Sequence, residues 1–514
     1  MKNKLTPIAI GLLALNVIAT PAGAASAHDS SRSKSSTTHT NQTNQITSAD
    51  TVPGNGGTDA IEGATDLPST GPLYLPVDLD VPGQSFVSSG PYIGIPLEYS
   101  GSNLIINSPN VNEDITLLNI RKNINQRLAA LGRPIDSLGS HILLSGIIEG
   151  QALYRSAGGE NNTSDIDLTT ANLDAFIMGP SRWTSGFMEF SYDNNIGTQT
   201  GSFSNNDRAF NSRVYINKAF VILGDFQRSP FYSSFGQMYV PFGTYSTTMV
   251  SSPLTKILAR TQVRAIVVGY KQQTENSLNV STYIFHGPSS TQHEVNRVNN
   301  GGVNIDYNFK MKQVNADFGA GVIGNIADSQ GMQFTGNNND NPPLFGGFGG
   351  PTETFTNEFG VVEQINTGNE TLEHRVPAYD FHTILGIGDN VQFIGEYITA
   401  STNFSPEDMT YNDHGAKPQA WNLEAVYNMP WFEKPTSISA GYQRSKEALA
   451  IGLPAQRYSV TLNRSFFKNT LQSLEFRHDI NYGSNATSTG SEVEGPSGGG
   501  KAVNMVTLQF DYYF

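Results

Sequence analysis

Sixteen strand candidates can be laid along residues 140–514, and the connections between them alternate between long and short without a break. The candidates are 140–154, 164–178, 181–192, 210–223, 231–240, 260–271, 277–286, 300–310, 312–326, 375–388, 390–400, 417–429, 434–446, 455–467, 470–482 and 501–514. Each is recognised by period-two alternation between clusters of Gly, Pro, Asn, Asp and Ser. The stretches 193–209, 241–259, 287–299, 327–374, 401–416 and 483–500 are long, while 179–180, 272–276, 311, 389, 430–433 and 468–469 are short. A soluble sandwich has no reason to keep this parity. A barrel that crosses a membrane does, with long loops on the outer side and short turns on the periplasmic side. The expected fold is therefore all-β: an antiparallel transmembrane barrel of about sixteen strands, with both termini in the periplasm.

The last strand agrees. Val506, Leu508, Phe510, Tyr512 and Phe514 fall on one face, and Thr507, Gln509, Asp511 and Tyr513 on the other. An apolar face for lipid and a polar face for water is what such a barrel requires. Phe510, Tyr512 and the terminal Phe514 form a candidate signal for the outer-membrane assembly machinery. Aromatics near other strand ends (Trp183, Phe187, Phe190, Phe381, Phe393, Trp421, Trp431 and Phe432) suit interfacial girdles.

Residues 1–27 read as a secretory signal, with Lys2 and Lys4, an apolar core over 8–19 too short to span a bilayer, and small residues at Ala22, Ala24, Ala25 and Ala27. Residues 28–89, rich in Ser, Thr, Asn, Gly and Pro, read as a disordered periplasmic tail. The pre-barrel segment 90–139 carries one helical pattern. Leu117, Ile120, Ile124, Leu128 and Leu131 repeat at three and four, stopped by Gly132 and Pro134. Such a helix can dock on the periplasmic end of the barrel or join protomers as a short coiled coil. Residues 140–514 form the barrel. The chain has no cysteine, which removes disulfides, thiolate catalysis and cysteine-ligated metals. Its net charge of −14 argues against nucleic acid as a partner. The nine histidines show no metal-ligand spacing, and there is no nucleophile elbow or phosphate-binding loop, so no enzyme activity, metal or cofactor is expected.

The polar faces suggest a solute path. Arg213, Arg260, Arg264, Arg457 and Arg477 are placed in the lumen by alternation, and Lys256 lies in the third outer loop. Their forked or point charges suit carboxylate or phosphate-like solutes. Glu149, Glu189, Glu396 and Glu475 are lumen acids able to pair with them. Lys218 points to lipid by simple alternation unless a bulge shifts the register. The third loop runs through Pro241, Phe242 and Gly243 to Ser252 and Pro253, a pair suited to a helix N-cap and first position. It is expected to fold inward as a constriction.

The segments Gly90-Pro91-Tyr92-Ile93-Gly94, Ser102-Asn103-Leu104-Ile105-Ile106-Asn107 and Val111-Asn112-Glu113-Asp114-Ile115, together with Tyr239-Val240-Pro241-Phe242-Gly243 and Ser252-Pro253-Leu254, make the chain resemble the LbtU family of siderophore porins over roughly residues 85–514. The resemblance implies a sixteen-stranded outer-membrane barrel of a Gram-negative bacterium that admits a ferric siderophore, and it supplies no binding residues. Sixteen strands leave no room for the folded plug of a 22-stranded receptor. The expected partners are the bilayer, an iron–siderophore or another small anionic solute, and the assembly machinery, with a homo-oligomer left open. A general anion or sugar porin, or a closed barrel acting as an adhesin through its outer loops, are the alternatives.

Overall fold

The computed structural model describes residues 79–81, 85–89, 111–130, 140–157, 162–179, 181–193, 213–291, 297–333, 348, 352–356, 362–366, 370–388, 390–432, 434–467, 469–488 and 500–514. The expected signal segment and the segment 91–109 lie outside these residues. Sixteen strands form one closed antiparallel barrel: β1 (Ser140–Ala157), β2 (Thr163–Met178), β3 (Thr184–Asp193), β4 (Arg213–Gly224), β5 (Phe231–Tyr239), β6 (Gln262–Lys271), β7 (Ser277–Phe285), β8 (Asn300–Met311), β9 (Val314–Ile323), β10 (Ala378–Ile387), β11 (Val391–Ala400), β12 (Gln419–Trp431), β13 (Lys434–Lys446), β14 (Gln456–Arg464), β15 (Thr470–Ile480) and β16 (Ala502–Tyr513). Each strand pairs with the next, and β16 closes on β1 from Val503↔Ala157 to Tyr513↔Ile147. Closure leaves no unpaired sheet edge in the wall, which is the condition for crossing lipid with strands.

At the seam, Phe514 exchanges two backbone hydrogen bonds with Gly146, 2.8 and 3.0 Å long. A Cβ on Gly146 would lie 2.3 Å from the Phe514 ring, so the terminal ring occupies the space a side chain would need. Below this point Ser85–Ser89 pairs in parallel with residues 140–144 of β1. Composition placed Ser85–Ser89 at the end of a structureless tail; its backbone instead pairs as a strand, as does Leu79–Val81 beside it.

The exterior is apolar where lipid lies. Leu423, Val460, Leu474, Phe476, Val506, Leu508 and Phe510 are exposed outward. Their strand neighbours Asn422, Ser459, Thr461, Ser473, Glu475, Thr507, Gln509 and Asp511 are buried inward. Trp183, Phe381, Phe393, Trp421, Trp431 and Phe432 are exposed as expected of girdle residues, but Phe187 turns inward and packs 5.3 Å from Phe220.

The interior is not an empty tube. On the β2–β9 side it holds an apolar core that includes Phe176, Phe220, Ile222, Tyr232, Val263, Val267, Tyr283 and Phe285. Two inserted elements complete that core: the loop between β5 and β6, and the helix α1 (Glu113–Ala130) that precedes the barrel.

Candidate functional site: the constricted lumen

The loop 240–261 follows Tyr239 and folds into the barrel, carrying the six-residue helix α2 (Leu254–Ala259). Its backbone amides and hydroxyls are held by carboxylates on the far wall. Glu396 of β11 accepts from Thr244 N, Tyr245 N and Thr255 Oγ1. Glu424 of β12 accepts from Thr247 Oγ1, Thr248 N and Thr248 Oγ1. Glu475 of β15 accepts from Val250 N at 2.6 Å and Ser251 N at 3.1 Å. Phe242, Tyr245, Leu254 and Leu258 are buried against the core, so apolar packing and charge-assisted bonds fix the loop together. Gly243 at φ 78 makes the bend, and a Cβ there would strike the Tyr245 ring.

Pro241, Phe242, Gly243, Ser252 and Pro253 thus belong to one inward loop. The helix start differs from the expectation at one residue. Pro253, not Ser252, is the cap, and no side chain caps it. The orphan amide of Leu254 is taken instead by Gln443 Oε1 at 2.9 Å, while Ser252 O accepts from Arg457 Nη1 at 3.0 Å.

The predicted basic residues separate into distinct environments. Arg457 of β14 is bound through Nε and Nη2 to both oxygens of Asp479, at 2.8 and 3.1 Å, and is committed to holding the loop tip. Arg477 of β15 shares the same carboxylate at 3.2 Å, with its side chain 20% exposed. Two guanidiniums therefore face one acid, and Arg155 on β1, missed in the sequence, adds a third within electrostatic range. Register brings them together: Ser459↔Arg477, Arg477↔Met505 and Met505↔Arg155 run across four strands in one row. Arg260 lies 4.6 Å over the Tyr239 ring and donates to Gln330 Oε1 at 2.9 Å. Lys256 projects from α2 towards Glu149 on β1, within electrostatic range and still reached by solvent. Crowding by protein and the Arg260 charge push its pKa down to about 7, against the pull of Glu149.

Arg264 does not belong here. Val263, Ala265 and Val267 are the inward residues of β6, and Arg264 is exposed on the outward face with Ile266 and Val268. Alternation alone cannot say which face is inner when the inner face packs against an apolar loop. The side chain of Arg213 lies outside the described residues.

The start of α1 is inserted into the periplasmic half. A bulge at Asn217 turns Lys218 inward, where it is wholly buried between Glu113 of α1 and Glu189 of β3, at 2.9 and 2.8 Å. Asp114 accepts from Ser234 Oγ of β5, and Leu117 and Leu118 are buried. Arg121 donates to Ser181 O, Thr184 O and Ser185 Oγ at the short turn between β2 and β3. The first turn of the helix thus enters the barrel, as expected of a helix docked at the periplasmic end. One ammonium cannot neutralise both carboxylates. Burial pushes Glu113 up to about 8, with Lys218 pulling it back and Glu189 adding to the rise.

One buried histidine, His382 on β10, lies between Asp380 Oδ2 at 2.5 Å and Asp306 Oδ1 at 2.9 Å, over the bare backbone of Gly319. Both ring nitrogens are committed to carboxylates, so the group braces β8, β9 and β10. Among the described residues no cluster of His, Asp or Glu is arranged to hold a metal ion.

Comparison with known proteins gives relatives along most of the chain. A UPF0422 protein of Coxiella burnetii (strain RSA 493 / Nine Mile phase I) is 37% identical over 434 residues, 84% of this chain and 84% of that one. A UPF0422 protein of Legionella pneumophila (strain Lens) is 35% identical over 438 residues, 83% of this chain and 76% of that one. No family model matches the chain. Among solved structures, the outer membrane channel DcaP of Acinetobacter baumannii and an anion-selective porin from Comamonas acidovorans each match with a TM-score of 0.45. They are 13% and 10% identical and cover 73% of this chain and 98% and 100% of theirs.

Proposed function

The chain belongs to the UPF0422 family, and we propose that its barrel is an outer-membrane channel for small anionic solutes, narrowed from outside by the loop 240–261 and from the periplasm by α1. The observation that carries the anion preference is which charges touch lumen water. Glu396, Glu424 and Glu475 are buried beneath the inserted loop and spent on its amides, whereas Lys256, Arg260, Arg155 and Arg477 keep partial exposure. A passing anion meets these bases with the loop-holding acids withdrawn from it; Asp165 and Asp167 of β2 are inward acids that keep partial exposure beside Arg155. Arg457 serves as a positioning residue for the loop tip.

The finer reading is that the solute is a ferric siderophore. It rests on the family resemblance of the sequence and on the charge match between a polycarboxylate chelate and the partly exposed Lys256 and Arg477. Uptake of radiolabelled ferric siderophore, measured in a deletion strain with and without this protein, tests it. Restored uptake that is lost on Lys256→Glu with Arg477→Gln is expected. Equal uptake with and without the protein refutes the siderophore while leaving the anion channel to be judged by conductance.

A further inference from the structure

The chain carries a net charge of −14, yet one sector of its outer wall is basic. At the extracellular ends of β12 and β13, Arg444 and Lys446 are exposed on the lipid-facing side, two residues apart on one strand. Their outward positions are set by register, since Arg444 pairs with Trp421 and Lys446 with Gln419, both outward on β12. Lys417, partly exposed, continues the same outward row above Gln419. Arg444 stands 5.9 Å from the Trp421 ring, and Trp421 lies 6.1 Å from Tyr397 on β11. On the other side Arg444 pairs with Gln456 of β14, whose Oε1 accepts from Tyr458 Oη at 3.1 Å. Directly below lies the apolar belt of Leu423, Ala440 and Val460.

Two cations about 7 Å apart on one strand face, with a third beside them, stand above an aromatic floor at the level where the hydrocarbon ends. Among the described residues Glu447 is the acid in contact with this group. It approaches Lys446 at 3.6 Å, lies 3.9 Å from His414, and accepts the backbone amide of Lys417. One carboxylate facing three full cations leaves the sector positive. Arg264 is the contrast: it is outward near the rim of β6, between Gln262 and Ile266 on its face, without a neighbouring cation on its strand.

We propose that Lys417, Arg444 and Lys446 form a docking site for the phosphorylated headgroup of an outer-leaflet lipid, with Trp421 and Tyr397 seating the headgroup–acyl boundary. Arg444 offers a planar fork to phosphate oxygens and Lys446 a mobile point charge, the pairing suited to a headgroup with more than one phosphate. The ring of Trp421 places Arg444 at the membrane interface, where an aromatic is at once buried in chains and in contact with polar groups. The acyl chains then lie along the Leu423, Ala440 and Val460 strip.

The test uses the full chain, refolded and checked for heat-modifiable migration, then floated with phosphatidylcholine vesicles with or without lipopolysaccharide. Lipid retained through detergent re-extraction is counted by native mass spectrometry. The wild-type protein is expected to retain lipopolysaccharide. Each of Lys417→Gln, Arg444→Gln and Lys446→Gln is expected to lower its retention by about fivefold, as befits one cation near an anionic surface, while Arg264→Gln leaves it unchanged. Equal retention by the triple variant and the wild type overturns the proposal. So does displacement of the lipid by millimolar inorganic phosphate, which marks an ion site and not a lipid site.

Discussion

At the scale of single residues, the lumen separates groups that hold structure from groups left to meet a solute. Arg457 and Glu396 are spent on the loop; Lys256 is not. Because Lys256 is a base whose pKa is depressed to about 7, it is cationic below that pH and neutral above it. Anion preference in planar bilayers is therefore expected to fall between pH 6 and pH 8. Lys256→Gln should hold the pH 8 value at both, with the residual preference set by Arg260, Arg155 and Arg477. A wild-type reversal potential that does not move across this range removes Lys256 from the solute path. These roles were partly legible in the sequence. Arg457, Arg477, Glu149, Glu396 and Glu475 face inward as alternation predicts. Arg264 faces out because an apolar inner wall beside an inserted loop reverses the rule that the polar face is the lumen. Lys218 could not be placed from alternation, since its direction depends on the one extra residue at Asn217.

At the scale of elements, α1 and the loop 240–261 share one apolar core but differ in the charges that hold them. The loop has an apolar core and three wall carboxylates, all covalently flanked by strands. The helix buries Leu117 and Leu118 in the same core, bonds the β2–β3 turn through Arg121 and sits on a buried ion triad. Its docked form favours a protonated Glu113, with a pKa of about 8 against an ordinary 4.5. Docking is therefore strongest at low pH and is lost as pH rises through 8. Conductance is expected to rise between pH 7 and pH 9 in the wild type and to stay low in Glu113→Gln. Leu117→Asp with Leu118→Asp should raise it at neutral pH. Unchanged conductance in the double variant means that the helix does not occlude the bore. The existence of the helix was legible from its 3.6-residue period, but its docking was not. The buried end bears Glu113 and Asp114, residues that pattern reading assigns to a solvated first turn. At the seam, deletion of Phe514 removes the ring over Gly146 and both bonds to it. Barrel yield in the outer membrane should drop severalfold, while channels that do insert conduct as before. Equal yield of the deleted and intact chains would show that the terminal ring has no part in assembly.

At the scale of the whole molecule, the number of strands, their order and the side on which each connection lies were all readable, because closure in lipid allows few alternatives. Strand ends moved by only a few residues: 390–400 became Val391–Ala400 and 434–446 stayed Lys434–Lys446. What filled the barrel was less readable, since side chains from segments far apart in sequence meet there, as Glu113 meets Lys218 and Val250 meets Glu475. The central claim is that this barrel conducts and prefers anions, with its bore narrowed by two inserted segments. The most direct test is single-channel recording of the full chain in planar bilayers under a potassium chloride gradient at pH 6. Small discrete openings with a reversal potential on the anion side, enlarged when α1 is displaced by Leu117→Asp with Leu118→Asp, are the predicted result. A silent barrel in both forms, or a reversal potential on the cation side, would contradict it.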